Sequence, residues 1–282
     1  MIAGLIAAIT QALGVTLDKV VLSYRKIPLR DFIPVVFLFL CLFTLPVLFF
    51  KGSVAWQEFF AWKYILLYLG MILIAVLWNF LYYQGVRSER VQEFELILML
   101  NPLIVIALAA LFFPWERNLQ ILLAGFIASL ALIFAHLKRE HLFFSRAALG
   151  LIACVILMSI ETIMHRVLLN FISPAPLYFS RTLILLFFFY FFYRPKNILN
   201  LNKISLGLIV LNGLLGSIQF IARFYGYQKG GVIITTVVLT LAPILVYLTA
   251  YLYFKEEINQ RKIIAGAIIL LAIIWAVLSR SG

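Results

Sequence analysis

Ten apolar runs, each close to the length needed to cross a bilayer, constrain this chain more than any other feature of its sequence. They cover residues 1 to 22, 32 to 50, 63 to 86, 94 to 113, 120 to 137, 147 to 172, 177 to 193, 204 to 228, 232 to 254 and 262 to 279. A hydrocarbon core about 30 Å thick is crossed by roughly 20 residues of helix. Backbone polar groups in lipid must be satisfied within the segment or in a closed barrel. Runs such as LILLFFFYFF and AGAIILLAIIWAV are apolar on every side, whereas barrel strands alternate apolar with polar residues. The expected class is an all-α integral membrane protein with ten transmembrane helices. Linkers such as KGSVAWQEFFAW and RPKNILNLNK are too short to hold a folded domain. Hydrophobic residues make up 65% of the chain, more than a soluble core can use, so the lipid bilayer is its first expected partner. The first run has no basic leader or small-residue cleavage pattern and carries Gln11, Asp18 and Lys19. It reads as a retained helix rather than a signal peptide.

Basic residues (23) outnumber acidic ones (11), for a formal charge of +12. They are scattered between apolar runs rather than grouped on a polar surface, which excludes a soluble nucleic-acid binder. With ten helices the loops alternate sides, and one side collects 14 basic residues, including Arg25, Arg87, Lys138 and Lys196, against 5 on the other, including Lys51 and Arg117. The positive-inside rule makes the first side cytoplasmic and puts both termini outside. Cys41 and Cys154 lie inside apolar runs and read as buried thiols rather than a disulfide or metal cluster. No metal or other cofactor is expected, and nothing resembles a Walker phosphate loop.

The chain is also self-similar. LNPLIVIALAALFFPWERNLQILLAGF aligns with LAPILVYLTAYLYFKEEINQRKIIAGA at an offset of 141 residues. The offset pairs Gly85 with Gly226, Pro102 with Pro243, Glu116 with Glu257, Asn118 with Asn259, Ala124 with Ala265, Gly125 with Gly266 and Arg139 with Arg280. Pro, Gly, Glu and Asn are scarce here, so their coincidence points to duplication. The expected units are residues 1–141 and 142–282, five helices each. Because five is odd, the second unit enters the membrane inverted, the geometry of alternating-access carriers.

These features resemble the EamA-type members of the drug/metabolite transporter superfamily. The resemblance spans nearly the whole chain and is clearest from Pro102 to Gly125 and from Pro243 to Gly266. Arg181 in YFSRTLILL matches the Arg expected in the second helix of a unit, whereas the corresponding region of the first unit, near Pro34, has none. The usual Trp-Gly pair of the first helix is replaced by Gln11 to Gly14, and a second Gly of the fifth helix by Leu132 and Ile273. The resemblance implies a multi-pass protein of the inner or plasma membrane, acting as a monomer or homodimer on a small-molecule substrate. It also implies cytoplasmic termini, opposite to the charge count.

Proline removes a backbone hydrogen bond, so Pro102 and Pro243 should bend the fourth and ninth helices and are candidate hinges, or static kinks. Glu116 and Glu257 should cap the helices that begin at Asn118 and Asn259. Gly125, Gly266, Gly207, Gly213 and Gly216 allow close helix contact. Ionisable groups within lipid are costly and mark functional candidates. Glu161 and His165 are one turn apart on the sixth helix and are candidates for proton coupling. A structural pair of Glu161 with His165 or an arginine is the alternative. Arg181 and Arg223 are fixed charges for an anionic group, and either can instead reach the interface or pair with Glu161. With the family's cavity in mind, the expected substrate-binding set is Trp78, Asn79, Tyr82, Glu95, Asn101, Glu161, Arg181, Gln219, Arg223, Tyr225 and Thr236. That mixture favours a polar or amphoteric metabolite, such as an amino acid or amine, moved by a secondary-active carrier. A multidrug exporter is an alternative. An intramembrane metalloprotease is another, because Glu256, Glu257 and Arg261 spell EExxxR. His136, His141 and His165 do not complete that family's pattern, so no enzymatic activity is expected.

Overall fold

The computed structural model describes residues 1–25, 27–88, 97–136, 146–195, 202–254 and 260–281. The chain forms α1 (Ile2–Lys19), extended by a π-helical turn at Val20–Tyr24, α2 (Leu29–Lys51) and α3 (Trp62–Ser88). Next come α4 (Leu100–Phe112), α5 (Leu119–His136), α6 (Arg146–Leu168) and α7 (Pro174–Tyr193). Then follow α8 (Lys203–Gly230), α9, made of segments Val232–Leu239 and Leu241–Phe254, and α10 (Gln260–Ser281). A short helix at Trp56–Phe59 fills the α2–α3 linker, where the sequence suggests only a loop. Among the described residues there is no strand, only an isolated antiparallel bridge between Val54 and Ile172.

Among the described residues, six helices are long and apolar enough to cross a membrane, and four shorter apolar helices accompany them. Large apolar side chains such as Phe49, Phe50, Trp62 and Phe191 stand exposed on the outside of the bundle, as side chains facing lipid do. The protein is an all-α membrane protein.

The helices start and stop for local reasons. Pro28 precedes α2 and Pro174 opens α7, where a missing N–H costs nothing. Asn202 caps α8 by accepting from the Ile204 N–H at 3.2 Å. Asn118 caps α5 by accepting from the Gln120 and Ile121 N–H groups at 2.9 and 3.2 Å. Glu116 does not cap α5: its carboxylate crosses to α9, so the cap expected from sequence is made by Asn118 instead.

The strongest helix pairings are α5 with α10, α1 with α8, α3 with α6, and α2 with α7, followed by α2 with α8, α1 with α9 and α4 with α6. Exchanging each helix with the one five places away maps α1–α8 onto α6–α3 and α1–α9 onto α6–α4, and leaves α2–α7 and α5–α10 unchanged. This approximates the pattern of a two-fold axis, broken by α2–α8, whose counterpart α3–α7 is a much weaker contact. Close approaches use glycine. A Cβ on Gly213 would lie 2.5 Å from the Phe39 Cβ and 3.2 Å from its backbone, and one on Gly216 would lie 2.7 Å from Leu40. Gly125 is similarly pressed by Ile106 and Val237, whereas Gly266 is in ordinary contact with Ile244. Gly207 has nothing within 4 Å, contrary to the expectation of close contact. Gly213→Leu is expected to destabilise the purified protein by about 1–3 kcal/mol through overpacking of α2 on α8. Gly207→Ala should leave its melting temperature unchanged or raise it. Thermal unfolding in detergent compares them, and equal losses would contradict the close-contact reading of α8.

Both prolines act one turn earlier than their own positions. Pro102 and Pro243 lie third in their helical segments, and the helical pattern breaks at Met99 and Thr240. Met99 has φ −69 and ψ −11, and Thr240 φ −62 and ψ −13. A proline cannot donate to the carbonyl four residues back and its ring pushes that carbonyl away, so the regular ladder fails in the preceding turn. The two breaks are separated by the same 141 residues as the prolines.

Candidate functional site

The breaks border a cavity of about 260 Å³ inside the bundle. Each lining helix contributes one stripe. From α8 come Asn212, Gly216, Gln219, Phe220, Arg223 and Tyr227, and from α1 Gln11, Gly14, Val15 and Asp18, both at three- and four-residue helical spacing. Trp78, Asn79, Tyr82 and Tyr83 line it from α3, and Asn101, Pro102, Thr236 and Pro243 from the broken helices.

Of the residues expected from sequence, Trp78, Asn79, Tyr82, Asn101, Arg181, Gln219, Arg223 and Thr236 are brought together around this cavity. Tyr225 is not: it lies two residues from Arg223, about 200° around the helix, on another face. Glu95 lies outside the described residues, as do Glu257 and its neighbour Glu256. Arg261, the third member of that pattern, lies over the Phe134 ring at 6.0 Å.

Glu161 sits behind the cavity wall rather than in it. Its carboxylate accepts from Arg181 Nε at 2.6 Å, Arg181 Nη2 at 3.3 Å and Trp78 Nε1 at 2.7 Å. Both members of the pair are buried, Glu161 at 4% and Arg181 at 2% exposure. The guanidinium also lies over the Trp78 ring at 5.6 Å and the Phe220 ring at 5.9 Å. Three helices thus converge on one carboxylate, which fixes Arg181 against the cavity. His165 Nε2 is 3.6 Å from Glu161 Oε1 and has no hydrogen-bond partner among the described residues. His165 does not line the cavity, so its ring, packed 4.4 Å from that of Phe224, stands as a neighbour of the ion pair. Arg223 neither pairs with Glu161 nor reaches an interface. It donates from Nη2 to Gln11 Oε1 at 2.7 Å and lies over Phe220 at 5.2 Å.

Asp18 and Gln11 are functional candidates that escape the sequence reading. Asp18 accepts from Asn212 Nδ2 at 2.6 Å and faces the cavity. The signal that finds it is the rule already applied to Glu161: a carboxylate within an apolar helix needs an explanation.

The opposite end of the bundle is tied shut. The Ala55 N–H donates to Phe171 O at 2.8 Å and the Ser173 N–H to Ser53 O at 2.9 Å, which joins the α2–α3 and α6–α7 linkers. Glu116 accepts from the N–H groups of Val232 and Ile233 at 2.6 and 3.3 Å, and from Arg166 Nε at 3.0 Å. A carboxylate on the free amides at a helix N-terminus is favourably placed against the helix dipole.

Residues 145–278 match the model of the EamA-like transporter family. That stretch of the chain is similar to EamA-type members of the drug/metabolite transporter superfamily. The EamA-like match covers α6 to α10, and with them Glu161, Arg181, Asn212 and Arg223, while Gln11 and Asp18 lie before it. A solved structure described only as "Crystal structure of protein" shares the fold of this chain, with a TM-score of 0.77 and 17% identity over 99% of this chain and 97% of that one. No curated protein matches the sequence.

Proposed function

We propose that the protein is a secondary-active carrier that moves a small polar or amphoteric metabolite, such as an amino acid, an amine or a related compound, by alternating access. Ten helices cross the membrane as two inverted units, residues 1–141 and 142–282, which rock about the cavity. The observation that carries this reading is the cavity itself, bordered by helix breaks at Met99 and Thr240 and lined by both arginine and aspartate. The exchange symmetry of the helix pairings supports two equivalent units. The similarity of residues 145–278 to the EamA-like transporter family supports transport rather than catalysis. Charged groups on the wall favour a polar solute over a purely lipophilic drug. Glu161 holds Arg181, and any part the Glu161–His165 pair plays in proton coupling acts through that contact.

A stabilisation screen of the purified protein with amino acids, amines, nucleotides and cationic drugs, followed by flux in proteoliposomes with and without a proton gradient, tests the reading. The expected result is that a stabilising solute is also moved. Correctly folded protein that moves none of its stabilising solutes would overturn the transport assignment. Stabilisation confined to cationic drugs would favour the exporter.

The charge count also sets an orientation, with the tied end outside and the cavity facing the basic, cytoplasmic side. Single cysteines placed after Lys51 and after Lys196 are expected to react with an impermeant thiol reagent added from outside only at the first site. Reaction only at the second would reverse the orientation and agree with the family's usual arrangement.

A further inference from the structure

We infer that the cavity recognises a molecule with a cation and an anion at opposite ends of a short spacer, Asp18 taking the cationic group and Arg223 the anionic one. This rests on the carrier reading of the same cavity.

The wall holds three charged groups of different standing. Arg181 is matched by Glu161, so that charge is internally balanced. Asp18 is hydrogen-bonded by Asn212, a neutral donor, and no cationic side chain among the described residues is paired with it. Arg223 donates to Gln11, a neutral acceptor, while its Nε is buried without a hydrogen-bond partner and no carboxylate among the described residues is paired with it. One unmatched charge of each sign therefore faces the same cavity. A charge out of bulk water is costly unless it is paired, and a solute with the complementary charges supplies both partners at once.

Their separation selects the solute. Arg223 is anchored at Gln11, and Gln11 and Asp18 are on the same face of α1, seven residues and thus roughly 10 Å apart along its axis. Charge-assisted contacts take up about 2.8 Å at each end, leaving roughly 4–5 Å between the charged atoms of the solute. Three bonds of extended chain span about 3.8 Å, so about four bonds separate those charges. An α-amino acid, whose charges flank one carbon, is too short, and an ω-amino acid fits. Gly14 lies on the same stripe between the two poles, and a Cβ there would come within 3.4 Å of Asn212 Oδ1. The missing side chain leaves room for the spacer.

Calorimetric titration of the full chain in lipid nanodiscs with 3-aminopropanoate, propanoate, propylamine and glycine tests the assignment. The expected preference for 3-aminopropanoate over each of the other three is at least about tenfold. Asp18→Asn should bring it within about threefold of propanoate, and Arg223→Gln within about threefold of propylamine. Gly14→Val, which keeps both charges, should also weaken it by about tenfold. A wild type that does not prefer 3-aminopropanoate, or an Asp18→Asn protein that keeps the full preference, overturns the two-pole assignment. If that protein still moves another solute in proteoliposomes, the carrier reading survives it. The tenfold preference without flux of any solute overturns the carrier reading and retains the two poles.

Discussion

Glu161→Gln is expected to cost roughly 3–5 kcal/mol of stability, the range for breaking a buried ion pair by removing one partner. Arg181 is buried among Trp78, Phe220 and Glu161, and the substitution leaves its charge there without the carboxylate that receives two of its N–H groups. Thermal unfolding of the purified protein in detergent measures the loss. The double variant Glu161→Gln with Arg181→Met removes both charges and should recover much of it, because the penalty belongs to the unpaired ion and the two effects are not additive. A single variant that melts with the wild type would show that Arg181 finds its counter-charge elsewhere. Flux separates the two roles considered for Glu161. Loss of gradient-driven uptake and of its pH dependence in Glu161→Gln, with residual exchange of substrate, would assign coupling to this carboxylate. Loss of both together would assign positioning of Arg181.

Gly231→Ala is expected to be strongly destabilising. Gly231 has φ +92 and ψ 160, a region that side chains rarely enter and that costs about 1–3 kcal/mol in strain. A Cβ there would also lie 2.8 Å from Glu116 Oε2, displacing the carboxylate that serves Val232, Ile233 and Arg166. Loss of such a helix cap adds about 0.5–2 kcal/mol. On a Glu116→Ala background the clash and the cap are both absent, so Gly231→Ala should cost only the backbone strain. Equal losses on both backgrounds, measured by thermal unfolding, would show that Glu116 does not depend on Gly231. In flux, both variants are expected to loosen the tied end.

Depth in the membrane is readable from sequence more easily than contact. Glu161 and Arg181 each stand ten residues from Phe171 in the α6–α7 linker, so antiparallel helices bring them to the same level. Their pairing is one of the alternatives the sequence leaves open, and the choice of Arg181 over Arg223 is made by helix rotation. Tyr225 carries a polar group at a suitable depth but occupies a face of α8 away from the stripe that ends at Arg223 and Tyr227. Asp18 is legible as a costly carboxylate, whereas its donor, Asn212, is 194 residues away. Glu116 has the residue type of a cap, yet the Pro114–Glu116 turn carries it past α5, where Asn118 already serves the first free amides. Its partner is the start of α9, 116 residues on.

The sequence by itself determined the helical class, the positions of the apolar helices and the sites of the two proline breaks. Lipid makes these local decisions, because every backbone group in it must be satisfied within its own segment. Only the tertiary structure decided which side chains share the cavity and which charges cancel. Those outcomes depend on how each helix is turned about its axis against distant neighbours, and a chain apolar on every side leaves that rotation almost unmarked. Scarce polar residues and glycines fix it, through Glu161 with Arg181, Asp18 with Asn212, Arg223 with Gln11, and Gly213 against Phe39.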